Sequence, residues 1–524
     1  MIADVSTSVF TPVWSSRRWQ AAALLLWLGC TAIYFLSAPG RIDMFDGGIR
    51  HDVTESIVET GVPAVRDPTL PGVLGRGGLR YAWYELGSSV TAIPFVLLGK
   101  YLGHGSLEAR QFGFAMTSVP FASGVIALLF LIYGRLGCAM PRALAWALVV
   151  AFCTLLWPYA GSSFDAALQA FWLTLAVWGV IEARTSGSLV WAVASGFSFA
   201  MLLQVQEAYV VLGACVLASI PMTQERVLAR LRNPVVLIVI AGLGVGVALL
   251  FAANMIRYGD PLITGRDTSG GVPVWGSPLL GAMGLLVSPA KSIFLYSPPV
   301  ILGLIGLWRL VTADADRYAP IPACLAIHLA LVSSLRFWAG DWAWGPRYLV
   351  ATLPLVCVGL PFAWPVGARR SIKLAVCGAG LLVQLLAISV DHQRYYFERS
   401  LPPFFWVDET KMYTDSPLFA RAGEVGAVLR GRGARRAMEY VPGPRPMSMT
   451  STVFGPTDLS TAPQWMRGYL VFLVPRPWTL WARYLPPAAR PGNTPLMTAL
   501  GLIVGCASFG ALAVFVRRSA AVVD

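Results

Sequence analysis

Long apolar segments recur along the whole of this 524-residue chain, and they constrain its fold more than any other feature. The chain is 56% hydrophobic and only 13% charged, with a mean hydropathy of +0.63. A soluble domain does not need so much apolar surface, whereas each membrane-spanning helix needs about 20 apolar residues in a row. The sequence therefore predicts an all-α integral membrane protein that crosses the bilayer many times.

Twelve segments are apolar enough to be predicted as spans. They are 20–37, 112–133, 143–159, 166–181, 189–203, 208–221, 234–255, 293–311, 319–335, 349–364, 372–390 and 495–516. When the amino terminus is placed in the cytoplasm, the Arg-rich turns between spans also fall on the cytoplasmic side. This agreement with the positive-inside rule fixes the predicted orientation.

One further apolar segment, 88–101, would contradict this predicted orientation if it crossed the membrane. Crossing would move every later Arg-rich turn to the outside. The segment is also short, and Pro94 and Gly99 interrupt it. We therefore predict a re-entrant or juxtamembrane helix on the outer side, which is tolerable where other helices or water cover its backbone.

Three predicted outer regions are long. Residues 38–110 form a first loop crowded with charge, and residues 257–292 are rich in Gly and Pro. Residues 392–494 could fold as a small cap. Its end, 465–484, mixes Trp and Arg, which is typical of a segment in the membrane interface and equally of a linker with anchoring tryptophans. None of the eight Cys lies in the first loop or the cap, so we expect no disulfide framework.

Asp46 is the most informative residue of the first loop. It follows the first span in Phe45-Asp46-Gly47-Gly48, which we interpret as a carboxylate on a flexible backbone. A carboxylate at this place can deprotonate a hydroxyl, although an ordinary solvated loop acid has the same appearance. Glu85 stands where the loop returns to the membrane. It could orient an acceptor, balance an Arg, or be a helix-terminal charge.

Three charged residues mark the outer ends of later spans. Asp165 begins a span, and carboxylates at membrane depth are costly and usually functional, although a helix amino terminus also favours negative charge. Lys291 and Arg347 are cations at similar positions. They suit a lipid phosphate, which Arg can bind in a bidentate manner, and they could also reach ordinary headgroups.

Several kinds of site are missing from the sequence. No cluster has zinc spacing, and there is no P-loop, G-x-S-x-G motif or convincing dinucleotide fingerprint. The net charge of +13 reflects cytoplasmic Arg, so we expect no nucleic-acid partner. The sequence identifies no cofactor with certainty and leaves a divalent cation, Mg²⁺ or Mn²⁺, open.

Taken together, the motifs resemble the GT-C superfamily of polytopic glycosyltransferases, in the group of protein mannosyltransferase-like and aminoarabinose-transferase-like enzymes. The features that carry the resemblance are Phe45-Asp46-Gly47, Tyr84-Glu85, Phe164-Asp165, Tyr258-Gly259-Asp260-Pro261-Leu262, Ser288-Pro289-Ala290-Lys291 and Trp344-Gly345-Pro346-Arg347-Tyr348. The resemblance implies a GT-C-like bundle of about 12 transmembrane helices with outer juxtamembrane helices. Residues 1–391 would form the catalytic module, 392–494 an extracytoplasmic loop or cap, and 495–524 the last helix and a cytoplasmic tail.

Similar enzymes take a sugar from a polyprenyl-phosphate carrier and pass it to an acceptor on the outer face, usually inverting the anomeric centre. The resemblance puts the base on Asp46 and the donor phosphate on Lys291 and Arg347, and we name Glu85 as a second candidate catalytic residue. Asp165 is a candidate for contacting the acceptor or a metal. The implied partners are the sugar donor, a lipid, glycan or protein acceptor, and the lipids of a bacterial inner membrane.

One turn departs from the superfamily pattern. Relatives often have Lys or Arg in the hairpin between the fifth and sixth spans, where this chain has Gln204-Val205-Gln206-Glu207. This difference puts phosphate binding at that turn in doubt.

Two other classes of protein compete with the enzyme. A transporter or lipid-carrier flippase would bind its cargo at the bilayer midplane, often between inverted repeats. This chain shows no repeat, and its acids crowd one outer loop, so we prefer the glycosyltransferase. A non-catalytic membrane scaffold is the third hypothesis.

Overall fold

The computed structural model describes residues 13, 16–43, 45–68, 70–213, 234–265, 274–340, 342–364, 369–389, 412–430, 480–484 and 490–520. These residues are mostly helical. Within them, strand is confined to one short antiparallel hairpin in the first loop, β1 (Val73–Leu74) and β2 (Arg80–Tyr81).

The helices divide into two sets along the chain. The first set is α1 (Arg17–Ser37), α2 (Phe45–Thr60), α3 (Gly87–Leu102), α4 (Leu107–Ala115), α5 (Ser118–Arg135), α6 (Met140–Cys153), α7 (Leu156–Ala160), α8 (Ala166–Ser186) and α9 (Leu189–Val205). The second set is α10 (Pro234–Tyr258), α11 (Pro278–Val287), α12 (Ile293–Tyr296), α13 (Pro299–Ala313), α14 (Ala315–Tyr318), α15 (Pro320–Ser333), α16 (Leu353–Cys357), α17 (Arg370–Ser389), α18 (Pro417–Leu429), α19 (Trp481–Tyr484) and α20 (Thr494–Ala520). Short 3-10 helices cover Arg76–Gly78, Glu207–Tyr209, Arg347–Val350 and Leu360–Phe362.

Six stretches of the described chain are long and apolar enough to cross a membrane. They are Arg17–Ser37, Leu107–Arg135, Ala166–Ser186, Pro234–Tyr258, Arg370–Ser389 and Thr494–Arg517. The predicted all-α, multi-pass membrane architecture is therefore confirmed. About twelve crossings stays a prediction, because the other apolar helices have only 10–17 residues.

Proline breaks two of the predicted spans. The span predicted at 349–364 consists of short helical pieces around Pro354 and Pro361, and the span at 293–311 is interrupted before α13 at Pro298. Proline lacks the N–H that an intrahelical hydrogen bond requires. The Gly- and Pro-rich region 257–292 contains a helix, α11, that was not predicted. Most of the span predicted at 208–221 and most of the predicted cap lie outside the described residues.

The ambiguous segment 88–101 forms α3, a helix of 16 residues that contains Pro94. It packs antiparallel to α4 at very short distance. A Cβ on Gly99 would collide with the Ala109 carbonyl, and one on Gly113 would collide with the Phe95 carbonyl. Glycine at both places lets the backbones meet, so α4 covers one face of α3. The predicted helix is present, and its failure to cross the membrane stays a prediction.

Labelling of two exposed positions would test the topology. Lys100 lies in the last turn of α3, and Thr185 lies near the end of α8. We expect Lys100→Cys to react with a membrane-impermeant maleimide in sealed cells, and Thr185→Cys to react only after permeabilisation. If α3 crossed the membrane, the two positions would exchange sides. Reaction of Lys100→Cys only after permeabilisation would therefore contradict the prediction that α3 does not cross the membrane. Labelling of the wild-type protein measures the background from its native cysteines.

The two ends of the chain pack together. Helix α1 lies against α20, where a Cβ on Gly29 would lie 2.7 Å from the Phe509 ring. Trp481 in α19 is buried, its backbone N–H donates to the Ala38 carbonyl at 2.9 Å, and its ring lies 4.9 Å from that of Phe112. Trp481 is thus part of the core. Residues 465–479 of the predicted interfacial segment lie outside the described residues.

Candidate active site

Asp46 lies in the first turn of α2, so it stands on a helix and not on the flexible backbone that we predicted. A helix amino terminus stabilises a negative charge through its unpaired N–H groups. Gly47 has a specific packing role, because a Cβ there would collide with the Ser163 hydroxyl. The start of α2 can therefore approach the loop that precedes α8, which carries Asp165.

Both carboxylate oxygens of Asp46 have partners. Oδ1 accepts a hydrogen bond of 2.6 Å from the Tyr84 hydroxyl, and Oδ2 lies 3.5 Å from Nη1 of Arg347. The Asp46 and Arg347 side chains are only 14% and 10% exposed. Burial, and then the charge of Asp46, hold the pKa of the Tyr84 phenol well above its ordinary value. Tyr84 therefore stays protonated and acts as the donor.

Arg50 links Tyr84 to Asp165. It stands one helical turn after Asp46 on α2, and its Nη2 lies 2.9 Å from Oδ2 of Asp165. Its guanidinium lies 4.5 Å from the centre of the Tyr84 ring. Asp165 precedes the first residue of α8 without accepting a capping hydrogen bond from it. Its main interaction is this ion pair, so it is more than an ordinary helix-terminal charge.

Arg347 is held by aromatic rings. Its guanidinium lies 4.3 Å from the centre of the Phe164 ring, and Nη2 donates to the Tyr348 hydroxyl at 3.1 Å. Cation–π contacts of this kind favour Arg, whose planar group stacks on a ring. Gly340 has a φ of +69°, and a Cβ there would lie 2.7 Å from Cγ of Arg347. Glycine at this position leaves room for the Arg347 side chain.

These contacts define one group, which we call the Asp46 cluster: Asp46, Arg50, Tyr84, Asp165 and Arg347. Its two carboxylates and two guanidiniums have formal charges that cancel. The structure thus brings together three of the five predicted site residues, and the Asp46–Arg347 contact joins positions 301 residues apart. Arg50 and the phenol of Tyr84 were missed. The only signal was the spacing of Arg50 from Asp46, which puts both on one face of a helix.

Lys291 supports the loop that carries Arg347. The side chain is fully buried, and its Nζ donates to the Ala343 carbonyl at 2.7 Å. A buried ammonium needs such partners because desolvation of its charge is costly. Nearby, the Tyr159 hydroxyl donates to the Trp344 carbonyl at 2.9 Å. Together, Lys291 and Tyr159 therefore position the backbone four and three residues before Arg347.

Glu85 faces away from its neighbour Tyr84. It is buried, and its Oε1 accepts a hydrogen bond of 3.1 Å from the backbone N–H of Glu207. This contact lies in the turn where the chain departs from the superfamily pattern. Tyr84 thus contacts Asp46, whereas Glu85 contacts the turn after α9.

Asp43, beside the cluster, connects the first loop to Ser162 and Ser163 through hydrogen bonds. It accepts hydrogen bonds from the Ser162 hydroxyl at 2.7 Å, from the Ser163 N–H at 2.8 Å, and from the Ser163 hydroxyl. Burial raises the pKa of Asp43 against the opposing effects of Arg41 and these hydrogen bonds. A small, partly open cavity lies beside it, and Trp157 forms part of the wall. Asp43 therefore fixes the first loop to the segment that carries Phe164 and Asp165.

A second charged network fastens α2 to α4. Arg110 lies 2.5 Å from a carboxylate oxygen of Glu55 and 2.9 Å from one of Glu59. Burial, aided by the charge of Arg110, lowers the pKa of His51 to about 3, so this imidazole is neutral at physiological pH. The network holds the carboxyl-terminal turns of α2, at the end of the helix opposite Asp46.

The described residues contain no group of three or more His, Cys, Asp or Glu side chains placed to hold a metal ion. In this part of the chain, Asp46 and Asp165 are each paired with an Arg. A role for Mg²⁺ or Mn²⁺ at Asp165 stays a prediction.

Comparison with known proteins gives matches among solved structures alone. No protein-family model and no curated protein matches the chain. ArnT from Cupriavidus metallidurans, bound to undecaprenyl phosphate, is 14% identical with a TM-score of 0.47, over 89% of this chain and 76% of ArnT. The oligosaccharyltransferase of Archaeoglobus fulgidus in the apo form is 12% identical with a TM-score of 0.45, over 72% of this chain and 55% of that enzyme. The chain thus spans about half of the second protein. Both are GT-C-fold membrane glycosyltransferases, the superfamily that the sequence resembles.

Proposed function

We propose that the protein moves a sugar from a polyprenyl-phosphate carrier to an acceptor hydroxyl, with Asp46 as the general base. The observation that carries the proposal is the 3.5 Å contact between Asp46 and Arg347, close to the end of the apolar helix α1. The lipid tail of a polyprenyl-phosphate-linked sugar stays in the bilayer, so its phosphate lies near the ends of membrane-spanning helices. Transfer requires a base for the acceptor and a cation for the phosphate, and the cluster supplies both.

Each residue of the cluster then has a role. Asp46 takes the acceptor proton, and Tyr84 fixes the orientation of its carboxylate. Arg347 binds the donor phosphate with the planar fork of its guanidinium. In this proposal Asp165, held by Arg50, contacts the acceptor or a metal. A direct attack by the acceptor on the anomeric carbon would invert the configuration at that carbon.

Lys291 and Glu85 have supporting roles in this proposal. Lys291 positions the Arg347 loop through Ala343, and direct contact with the phosphate would require its ammonium to leave that carbonyl. Glu85 holds the turn at Glu207 against the return of the first loop by accepting its backbone hydrogen bond. From the distribution of Arg along the chain, we place the site on the outer face of a bacterial inner membrane, with the amino terminus in the cytoplasm.

The phosphate role of Arg347 predicts a graded response to substitution. Arg347→Ala should weaken donor binding more than Arg347→Lys, because Lys keeps the charge and loses the planar fork. Loss of a charge-assisted contact of this kind costs about 1.5–3 kcal/mol. Titration of the purified protein with the donor measures the difference. Equal donor affinity of the wild type and Arg347→Ala would remove Arg347 from the phosphate site.

Transfer of a labelled sugar from a polyprenyl-phosphate donor tests the function itself. We expect the purified protein in lipid vesicles to release the carrier phosphate and to label an acceptor from the cell envelope. Movement of the intact lipid-linked sugar across the vesicle membrane, without cleavage of its glycosidic bond, would favour the flippase instead.

A further inference from the structure

We infer that the Arg347 guanidinium is a shared counter-ion, which pairs with Asp46 in the resting protein and with the carrier phosphate once the donor binds, most strongly as the sugar leaves. The inference rests on the proposed function and adds a coupling between its two halves. Its basis is the contact between the proposed base, Asp46, and the proposed phosphate-binding residue, Arg347: Nη1 of Arg347 lies 3.5 Å from Oδ2 of Asp46. Both side chains are largely buried, so their charges interact strongly.

The arrangement of charge explains why sharing is required. The Asp46 cluster has two cations and two anions, so a phosphate that binds to one of its guanidiniums must take that guanidinium from an existing ion pair. Arg50 is committed, since it lies 2.9 Å from Asp165 and covers the Tyr84 ring. Arg347 has the longer ion pair. The Phe164 ring, 4.3 Å away, can hold its guanidinium in place whichever anion it faces.

The proposed reaction conserves charge within this arrangement. The acceptor oxygen forms a bond to the anomeric carbon while the bond from that carbon to the phosphate oxygen breaks, and the electron pair stays on the phosphate. The acceptor proton passes to Asp46. The phosphate changes from one negative charge to two, and Asp46 changes from one to none. The attraction of Arg347 to the phosphate therefore strengthens as its attraction to Asp46 is lost. Arg347 thus stabilises the transition state more than the bound substrate.

This coupling predicts competition between Asp46 and the phosphate in the absence of any reaction. Asp46→Asn removes the competing charge and retains the size of the side chain, so the variant should bind undecaprenyl phosphate more tightly than the wild type does. Coupling between two such sites typically amounts to 5-fold or more, so we expect a gain of about 5-fold or more in affinity. The measurement is a titration of the purified full-length protein with undecaprenyl phosphate in detergent.

Two further variants show whether the gain belongs to Arg347. In Asp46→Asn/Arg347→Gln the gain should vanish, because the released guanidinium is absent. Asp316→Asn makes the same charge change at an exposed residue outside the cluster and should leave the affinity unchanged. Equal affinity of the wild type and Asp46→Asn would overturn the inference, as would a gain that survives in the double variant.

The same titration separates this inference from the proposed function. If the wild type binds undecaprenyl phosphate and Asp46→Asn binds it no more tightly, the shared counter-ion is contradicted. The proposed glycosyltransferase function is then unaffected. Absence of binding to the wild type and to both single variants contradicts the proposed function, and the inference with it. A single cooperative thermal transition well above the titration temperature shows, for each variant, that the comparison concerns folded protein.

Discussion

Asp46→Asn should lower the rate of sugar transfer about 100- to 10,000-fold, the usual contribution of a positioned acid–base group. Asparagine keeps the shape of the side chain, and its carbonyl oxygen can still accept the hydrogen bond from Tyr84. An amide cannot take the acceptor proton, so the chemical step should fail while the donor still binds. The measurement is the initial rate of transfer at saturating donor, together with the thermal unfolding midpoint.

The choice of control matters for this experiment. Asp43 shares the first loop, but it is buried and holds Ser162 and Ser163, so its substitution would disturb the fold. Asp316→Asn is the matched control. If Asp46→Asn kept the wild-type rate while Asp165→Asn or Glu85→Gln was inactive, a different carboxylate would be the base. Full activity of all three variants would exclude an active site in the first loop.

Arg50→Ala should lower the free energy of unfolding by about 3–5 kcal/mol, the usual result of removing one partner of a buried ion pair. The side chains of Arg50 and Asp165 are only 6% and 11% exposed, so Asp165 would be left with an uncompensated charge. The substitution also removes the cation from the face of the Tyr84 ring. Thermal unfolding in detergent measures the effect.

Two comparisons make the Arg50 experiment specific. Arg66 pairs with Glu59 at 2.7 Å, but its side chain is 41% exposed, so Arg66→Ala should change stability by about 1 kcal/mol or less. The double variant Arg50→Met/Asp165→Leu removes both charges and should recover much of the lost stability without recovering activity. Equal losses in Arg50→Ala and Arg66→Ala would show that the Arg50–Asp165 pair does not stabilise the fold.

The apolar pattern predicted the long helices well, because a bilayer-length helix is specified by its own residues. The spans predicted at 20–37, 166–181 and 234–255 match α1, α8 and α10 within a few residues. The pattern was less informative where Pro354 and Pro361 divide an apolar run, since the composition stays apolar while the helix ends. It also missed α11, whose flanks are rich in Gly and Pro.

The candidate site was only partly predictable, for a physical reason. Asp46, Asp165 and Arg347 were visible as charges at the ends of apolar segments, where desolvation makes charge costly. Arg50 could be found only once residues 45–60 were known to be helical. The partners of Lys291 and Glu85 are backbone groups of distant loops, Ala343 and Glu207, and no local pattern specifies such contacts.

The packing of α1 against α20 has a consequence for biogenesis. The ribosome makes α1 well before α20, so the surface at Gly29 cannot pack against Phe509 until α20 has been made. The Ala38 carbonyl likewise cannot accept its hydrogen bond from the Trp481 N–H until α19 has been made. The segment that leads from α1 to Asp46 therefore reaches its final packing only after α19 and α20 have been made.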